Sequence, residues 1–201
     1  MSPLPDQPVA ELKGLVLAGG KSTRMGLDKG LLNWHGTAQR YHLADLLRVC
    51  CTEVLISCRP EQVHEIEKGY SVLPDTFTGI GPFGGLLSAF EQSPSSAWLV
   101  VACDLPLLDQ QNLEFLISQR RSDLIATAYQ SQYGLPEPLV SIWEPSAYPV
   151  LLDLLASGYS SMRKVLITNE INLVKPLNAA VLMNANTPEE AGKIKDSYFP
   201  G

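Results

Sequence analysis

Histidine and cysteine are scarce in this 201-residue chain, three of the first and four of the second. Cys50, Cys51, Cys58 and Cys103 form no CxxC pair, and no histidine stands at zinc-ligand spacing from them. The expectation is buried free thiols in a reducing compartment, not a zinc site. His35, His42 and His64 fall in a turn and two helical segments, unrelated to any exposed serine elbow, so a Ser-His-Asp triad has no support. Basic charge is also short. Lys plus Arg number 15 against 21 Asp plus Glu, giving −6 and a pI near 5.0, which argues against nucleic acid or an anionic membrane as a partner. Long apolar runs are missing too. The longest, Trp98 to Leu108, is about half the ~20 residues of a spanning helix and contains Asp104. Met1 to Lys13 lacks the basic segment and apolar stretch of a signal peptide, so a cytoplasmic location is expected.

What remains is an ordinary globular composition, 45% hydrophobic and 18% charged with a mean hydropathy of +0.04, which excludes disorder and fibrous repeats. At about 150 residues per domain the length favours a single domain. Beyond a loose leader to about Ala10, short apolar runs alternate with helical patterns. Strands are expected at Gly14 to Ala18, Glu53 to Ser57, Tyr70 to Leu73 and Ala97 to Cys103. Helices are expected over Ala38 to Cys51, Pro60 to Lys68, Gly84 to Glu91 and Asp109 to Arg121. Such a βα rhythm with fully apolar strands implies a mostly parallel sheet between two helical layers. Past Ile125 come two strands, Ile125 to Tyr129 and Leu139 to Trp143, read as an inserted or appended pair. Helices over Ser146 to Ala156 and Ser161 to Thr168 follow, then a strand at Ala180 to Met183 and a last helix started by Thr187 and Pro188.

Chemistry concentrates where the first strand ends, in Leu17-Ala-Gly-Gly-Lys-Ser-Thr-Arg-Met-Gly-Leu-Asp-Lys29. Ligands of open parallel sheets sit beyond the carboxyl ends of strands, and glycines there let backbone N–H groups approach phosphate oxygens. Lys21, Arg24 and Lys29 add three cations against Asp28 alone, a local reversal of the chain's negative charge. A solvated surface loop is the plain alternative. A P-loop is ruled out by Leu15, which stands where its first glycine belongs. Gly79-Ile-Gly81-Pro-Phe-Gly84 matches GxGxxG literally and leaves a nicotinamide oxidoreductase as a rival. Pro82, however, removes an amide that a pyrophosphate would use.

Asp104 closes the most apolar strand, in Leu99-Val-Val-Ala-Cys-Asp-Leu-Pro106. A carboxylate there needs a cation, and Mg²⁺ commonly takes one or two carboxylates plus substrate phosphates. A turn aspartate before proline is the other reading. Asp75, after Leu73-Pro74, also ends a strand and suits a base, ribose, water or turn, with Gly81, Gly84 and Gly85 leaving room for a close approach.

The run LAGGKSTRMGLDKGLL resembles the LAGGxSxRMGxDK signature of the molybdenum cofactor guanylyltransferases, within the MobA-like nucleotidyltransferases. The resemblance continues through Asp75, Gly81-Pro-Phe-Gly-Gly85, Cys103-Asp-Leu-Pro106, Pro138-Leu139, Arg163 and Asn184-Ala-Asn-Thr-Pro-Glu189. Related CTP-using enzymes commonly read LAAG where this chain has Leu17-Ala-Gly-Gly20. Where relatives carry an Asn near the second strand end, this chain reads Ser57-Cys58-Arg59-Pro60, one residue shorter.

The resemblance implies a three-layer αβα, Rossmann-like fold in which residues 11–125 form a nucleotide half and 126–201 an acceptor half. It implies transfer of GMP from GTP to the phosphate of molybdopterin, with pyrophosphate released, Mg²⁺ required and cofactor-delivery proteins as further partners. By the same resemblance Leu17, Ala18, Gly19, Gly20, Gly81 and Gly85 bind the nucleotide and Asp75 its guanosine part. Arg24 and Lys29 hold the phosphates, Asp104 the metal, and Arg163 and Asn186 the acceptor. Transfer of CMP, transfer to a sugar phosphate and a non-catalytic nucleotide sensor are the other readings.

Overall fold

The computed structural model describes residues 9–20 and 29–199. Seven strands, β1 (Leu12–Leu17), β2 (Val54–Cys58), β3 (Ser71–Pro74), β4 (Ala97–Ala102), β5 (Ala126–Gln130), β6 (Pro136–Trp143) and β7 (Asn172–Val174), form one sheet in the order β3-β2-β1-β4-β6-β5-β7. Six run parallel. Only β6 is reversed, pairing antiparallel with β4 on one side and β5 on the other. The sheet is therefore mostly parallel, as the apolar strand runs require: all six residues of β4 are buried, so both its faces must be covered.

Alternation along β4 divides the core in two. Leu99 and Val101 face a layer built on α1 (Gln39–Arg48) and α3 (Gln110–Ser118), with Leu43, Leu47, Leu113 and Leu116. Trp98 and Val100 face α2 (Pro82–Gln92), α4 (Ala147–Ala156) and α5 (Met162–Thr168), with Leu86, Phe90, Leu151 and Val165. Local chemistry sets the ends. Asp109 caps α3 by accepting from the Asn112 N–H at 2.8 Å. Thr187 and Glu190 form a reciprocal capping box ahead of Pro188 at the start of α6 (Pro188–Tyr198). No helix among the described residues is long and apolar enough to cross a membrane.

Three expectations change. The strand pair after Ile125 is not appended: β6 inserts between β4 and β5 and completes the central sheet. The strand expected at Ala180 to Met183 is a 3₁₀ turn over Ala179–Leu182 that buries only Val181, and the sheet edge beside β5 is taken instead by β7. Pro60 to Lys68 is a 3₁₀ turn over Pro60–Glu65 and not a regular helix. Residues 1–8 of the expected leader lie outside the described residues; the Ala10 carbonyl accepts from Arg120 at 2.8 Å while the same guanidinium grips buried Glu144 at 2.6 and 2.8 Å.

Candidate active site

Because β1, β2, β3 and β4 are parallel neighbours, their carboxyl ends share one edge of the sheet, and a cavity of about 700 Å³ opens there. Ala18, Gly19 and Gly20 leave β1 along its middle, with the Ala18 N–H still on the Ser57 carbonyl at 2.9 Å. Arg59 and Asp75, following β2 and β3, stand on one side. Asp104, following β4, stands on the other.

At the β4 end, Lys29 reaches two partners. Its ammonium donates to Asn186 Oδ1 at 2.6 Å and lies 3.8 Å from Asp104 Oδ2. Asn186 is set by the start of α6: its N–H donates to Glu190 Oε2 at 2.8 Å, and the neighbouring Ala185 N–H donates to the Asp104 carbonyl, also at 2.8 Å. Burial pushes the Asp104 carboxyl above the usual carboxylate range, and the Lys29 cation pulls the other way. Its second oxygen, Oδ1, is buried with no hydrogen-bond partner among the described residues. Leaving a carboxylate oxygen bare in a dry site is costly, and a divalent cation arriving with phosphate oxygens would remove the cost. The donor set fits Mg²⁺.

Reversal of β6 brings a second acid to this end. Register pairs Val101 with Val140, so the first residues of β6 lie beside the last of β4. Glu137 sits there, its carboxyl raised first by burial and also by the charge of Asp104. The Leu139 N–H and Arg163 oppose that shift. Arg163, about half exposed, meets Glu137 Oε2 at 3.4 Å.

At the other end Asp75 accepts from the Ser57 hydroxyl at 2.6 Å, and burial raises its pKa against that hydrogen bond. Two glycines bring α2 close enough to make this corner. A Cβ on Gly84 would run into the Phe77 carbonyl, and one on Gly85 would stand 2.5 Å from Ser57 Oγ and 2.7 Å from Leu17 Cδ2. Gly81, at φ +62, turns the chain into α2.

Residues 14–174 match the MobA-like NTP transferase domain. The chain belongs to that family. It is 30% identical over 191 residues to a molybdenum cofactor guanylyltransferase of Shewanella baltica, covering 92% of this chain and 96% of the relative. It is 37% identical over 185 residues to a molybdenum cofactor biosynthesis bifunctional protein of Synechocystis, covering 91% of this chain but 53% of that larger protein, so it spans about half the length of that relative. The fold is similar to a crystal structure of molybdopterin-guanine dinucleotide biosynthesis protein A from Archaeoglobus fulgidus, with a TM-score of 0.76 at 21% identity over 92% of this chain and 97% of that one.

Within this MobA-like chain, Leu17, Ala18, Gly19, Gly20, Lys29, Asp75, Gly81 and Asp104 all border the same cavity. Gly85 is not on its wall but directly behind it, buried under Leu17 and Ser57. Asn186 joins the site through Lys29, whereas Arg163 is not on the cavity wall and meets Glu137, which is not on it either. Lys21 and Arg24 lie outside the described residues. The GxGxxG run does not begin a pyrophosphate cradle, since Pro82 occupies the first turn of α2 and Gly84 is spent on packing against Phe77. The sequence reading missed Glu137, whose only signal was a charge between two prolines, Pro136 and Pro138, at the start of an apolar strand.

Proposed function

We propose that this chain transfers GMP from GTP to the phosphate of molybdopterin, releasing pyrophosphate, with Asp104 holding Mg²⁺. The observation that carries the reading is the meeting of Lys29, Asn186 and Asp104 at the β4 end of the cavity, across from the glycine turn that leaves β1. The named guanylyltransferase relative supports the nucleotide and the acceptor.

In this reading an oxygen of the acceptor phosphate attacks the α-phosphorus of GTP. The new P–O bond forms as the bond from the α-phosphorus to the bridging oxygen breaks, and that oxygen departs with pyrophosphate. No covalent protein intermediate is needed, so the site must align the reactants and meet the growing charge. Lys29, fixed by Asn186, puts a cation beside the phosphates without having to be reoriented. Backbone amides of Gly19 and Gly20 line the phosphate path, and Arg24 adds a second cation. The metal held on Asp104 would neutralise phosphate charge and fix the geometry of the chain of phosphates. Asp75, steadied by Ser57, takes the ribose side. In this reading residues 11–125 serve the nucleotide, joined by Asn186 through Lys29, and the rest of 126–201 serves the acceptor, whose phosphate meets Arg163. The four free thiols accord with a cytoplasmic reaction, where delivery proteins would present the cofactor.

Pyrophosphate release from GTP, CTP and ATP, each with Mg²⁺ and with or without molybdopterin, tests the proposal. Release that needs both GTP and the acceptor is expected. Release from CTP in place of GTP would make the enzyme a cytidylyltransferase, and none from any nucleotide would end the catalytic reading.

A further inference from the structure

The cavity has two charged ends. Lys29 and Asp104 mark the β4 end, while Arg59, Glu61 and Asp75 border the opposite end, past β2 and β3. With phosphates at the first, the base of a nucleotide extends to the second, because a nucleoside triphosphate is elongated and its ribose lies between. Asp75 already accepts from Ser57. Besides Asp75, the charged side chains bordering this end are Arg59 and Glu61.

These two side chains are joined and oriented. Arg59 Nη1 lies 3.1 Å from Glu61 Oε1. Its Nε donates to Gln62 Oε1 at 3.1 Å, and its backbone N–H donates to the same oxygen at 3.3 Å. Gln62 is 4% exposed, so the anchor of the guanidinium is part of the core while its charged end remains one-third exposed on the cavity. Pro60 separates the two charged residues and opens the 3₁₀ turn that holds Arg59 and Glu61 on the same side.

We infer that the Arg59–Glu61 pair reads the guanine base, Glu61 accepting from N1–H and the 2-amino group and Arg59 donating to O6. This inference rests on the guanylyl reading and deepens it. Guanine alone among the common bases places two N–H donors side by side next to a carbonyl acceptor. A carboxylate beside a guanidinium is the complement of that pattern. Cytosine and adenine each present a ring-nitrogen lone pair where guanine has N1–H, so Glu61 would face another acceptor. Discrimination follows from the unpaired groups that the wrong base leaves behind.

Calorimetric titration of the full chain with GTP, ITP and CTP in Mg²⁺ reads this directly, without depending on turnover. ITP keeps O6 and N1–H but lacks the 2-amino group. The wild-type chain is expected to bind GTP roughly tenfold to a hundredfold more tightly than ITP or CTP. Glu61→Gln should bring GTP down to the ITP level with ITP little changed, and Arg59→Lys should weaken both alike. Glu61 is 64% exposed, so Glu61→Gln should melt with the wild type. An unchanged GTP-to-ITP ratio in Glu61→Gln, no loss of GTP or ITP binding in Arg59→Lys, or tighter wild-type binding of CTP than GTP would each overturn the inference. A chain that binds GTP selectively in this way yet releases no pyrophosphate would leave the base reading standing and remove the proposed reaction.

Discussion

Lys29 and Asn186, 157 positions apart in the chain, meet through a 2.6 Å hydrogen bond at the β4 end of the cavity. The cation that the proposed reaction sets beside the nucleotide is thus held in place by the segment that begins the last helix. Lys29→Ala should cost on the order of a hundredfold or more in kcat/KM for GTP, the size expected for losing a preorganised charge at the phosphates. Asn186→Ala keeps the charge but frees it, so a smaller loss, about tenfold, is expected. Steady-state kinetics of the two variants, with melting curves to verify folding, checks the ranking; equal losses would remove Asn186 as the orienting group.

Asp104→Asn separates activity from stability. Burial disfavours the ionised carboxylate, so the neutral amide should melt at the wild-type temperature or above it near neutral pH. Turnover should fall by about a hundredfold to a thousandfold. The sign follows from linkage. A carboxylate whose folded pKa is raised contributes stability that is present below the unfolded value and lost as pH rises through the folded one. The wild-type melting temperature should therefore drop relative to Asp104→Asn as pH increases across that window. Thermal melts between pH 4 and pH 8 would show it, and a constant difference would refute the assignment.

Gly85→Ala tests how close α2 stands to the sheet. Alanine improves helix propensity by about 1 kcal/mol over glycine. The added Cβ would meet Ser57 Oγ and Leu17 Cδ2 at 2.5 and 2.7 Å, overpacking that costs typically 1–3 kcal/mol. The clash should win, lowering the melting temperature by a few degrees and weakening GTP binding through the displaced Ser57–Asp75 hydrogen bond. A variant as stable as wild type would mean that the helix can shift freely.

His42 supplies a pH signature away from the cavity. Burial, then the neighbouring His35 ring stacked at 3.7 Å, lowers its pKa to about 4, with Asp45 opposing. A depressed folded pKa means stability that is present above the unfolded value of about 6.5 and lost as pH falls toward 4. The stability of His42→Gln relative to wild type should improve as melts are taken from pH 7.5 down to pH 5. An unchanged difference would exclude the titration.

Buried apolar runs were legible because their composition can mean little else: β4 is buried throughout and β1 over its last four residues, and both lie in the middle of the sheet. The capped start of α6 was legible for a local reason, since Thr187, Pro188 and Glu190 specify it within four residues. Short elements were not. β7 has three residues with one buried, and the apolar stretch at Ala180 is long enough for a strand but finds no neighbouring edge to pair with. In the site, Gly19, Asp75 and Asp104 followed from being at strand ends. Glu137 did not, because only the reversal of β6 turns the beginning of a strand into a companion of β4's last residues, and sheet order is a long-range property.

That reversed strand also bears on how the molecule assembles. The four-stranded block β3-β2-β1-β4 draws on residues that are all synthesised before β5, whereas β5 has no partner in it and must wait for β6 to fill the gap. A growing polypeptide that ended after β5 would carry an unpaired, fully apolar β4 margin, the kind of template on which chains stick to one another. Truncations placed before Pro136 are thus expected to aggregate, while those that include Trp143 give that margin its mate.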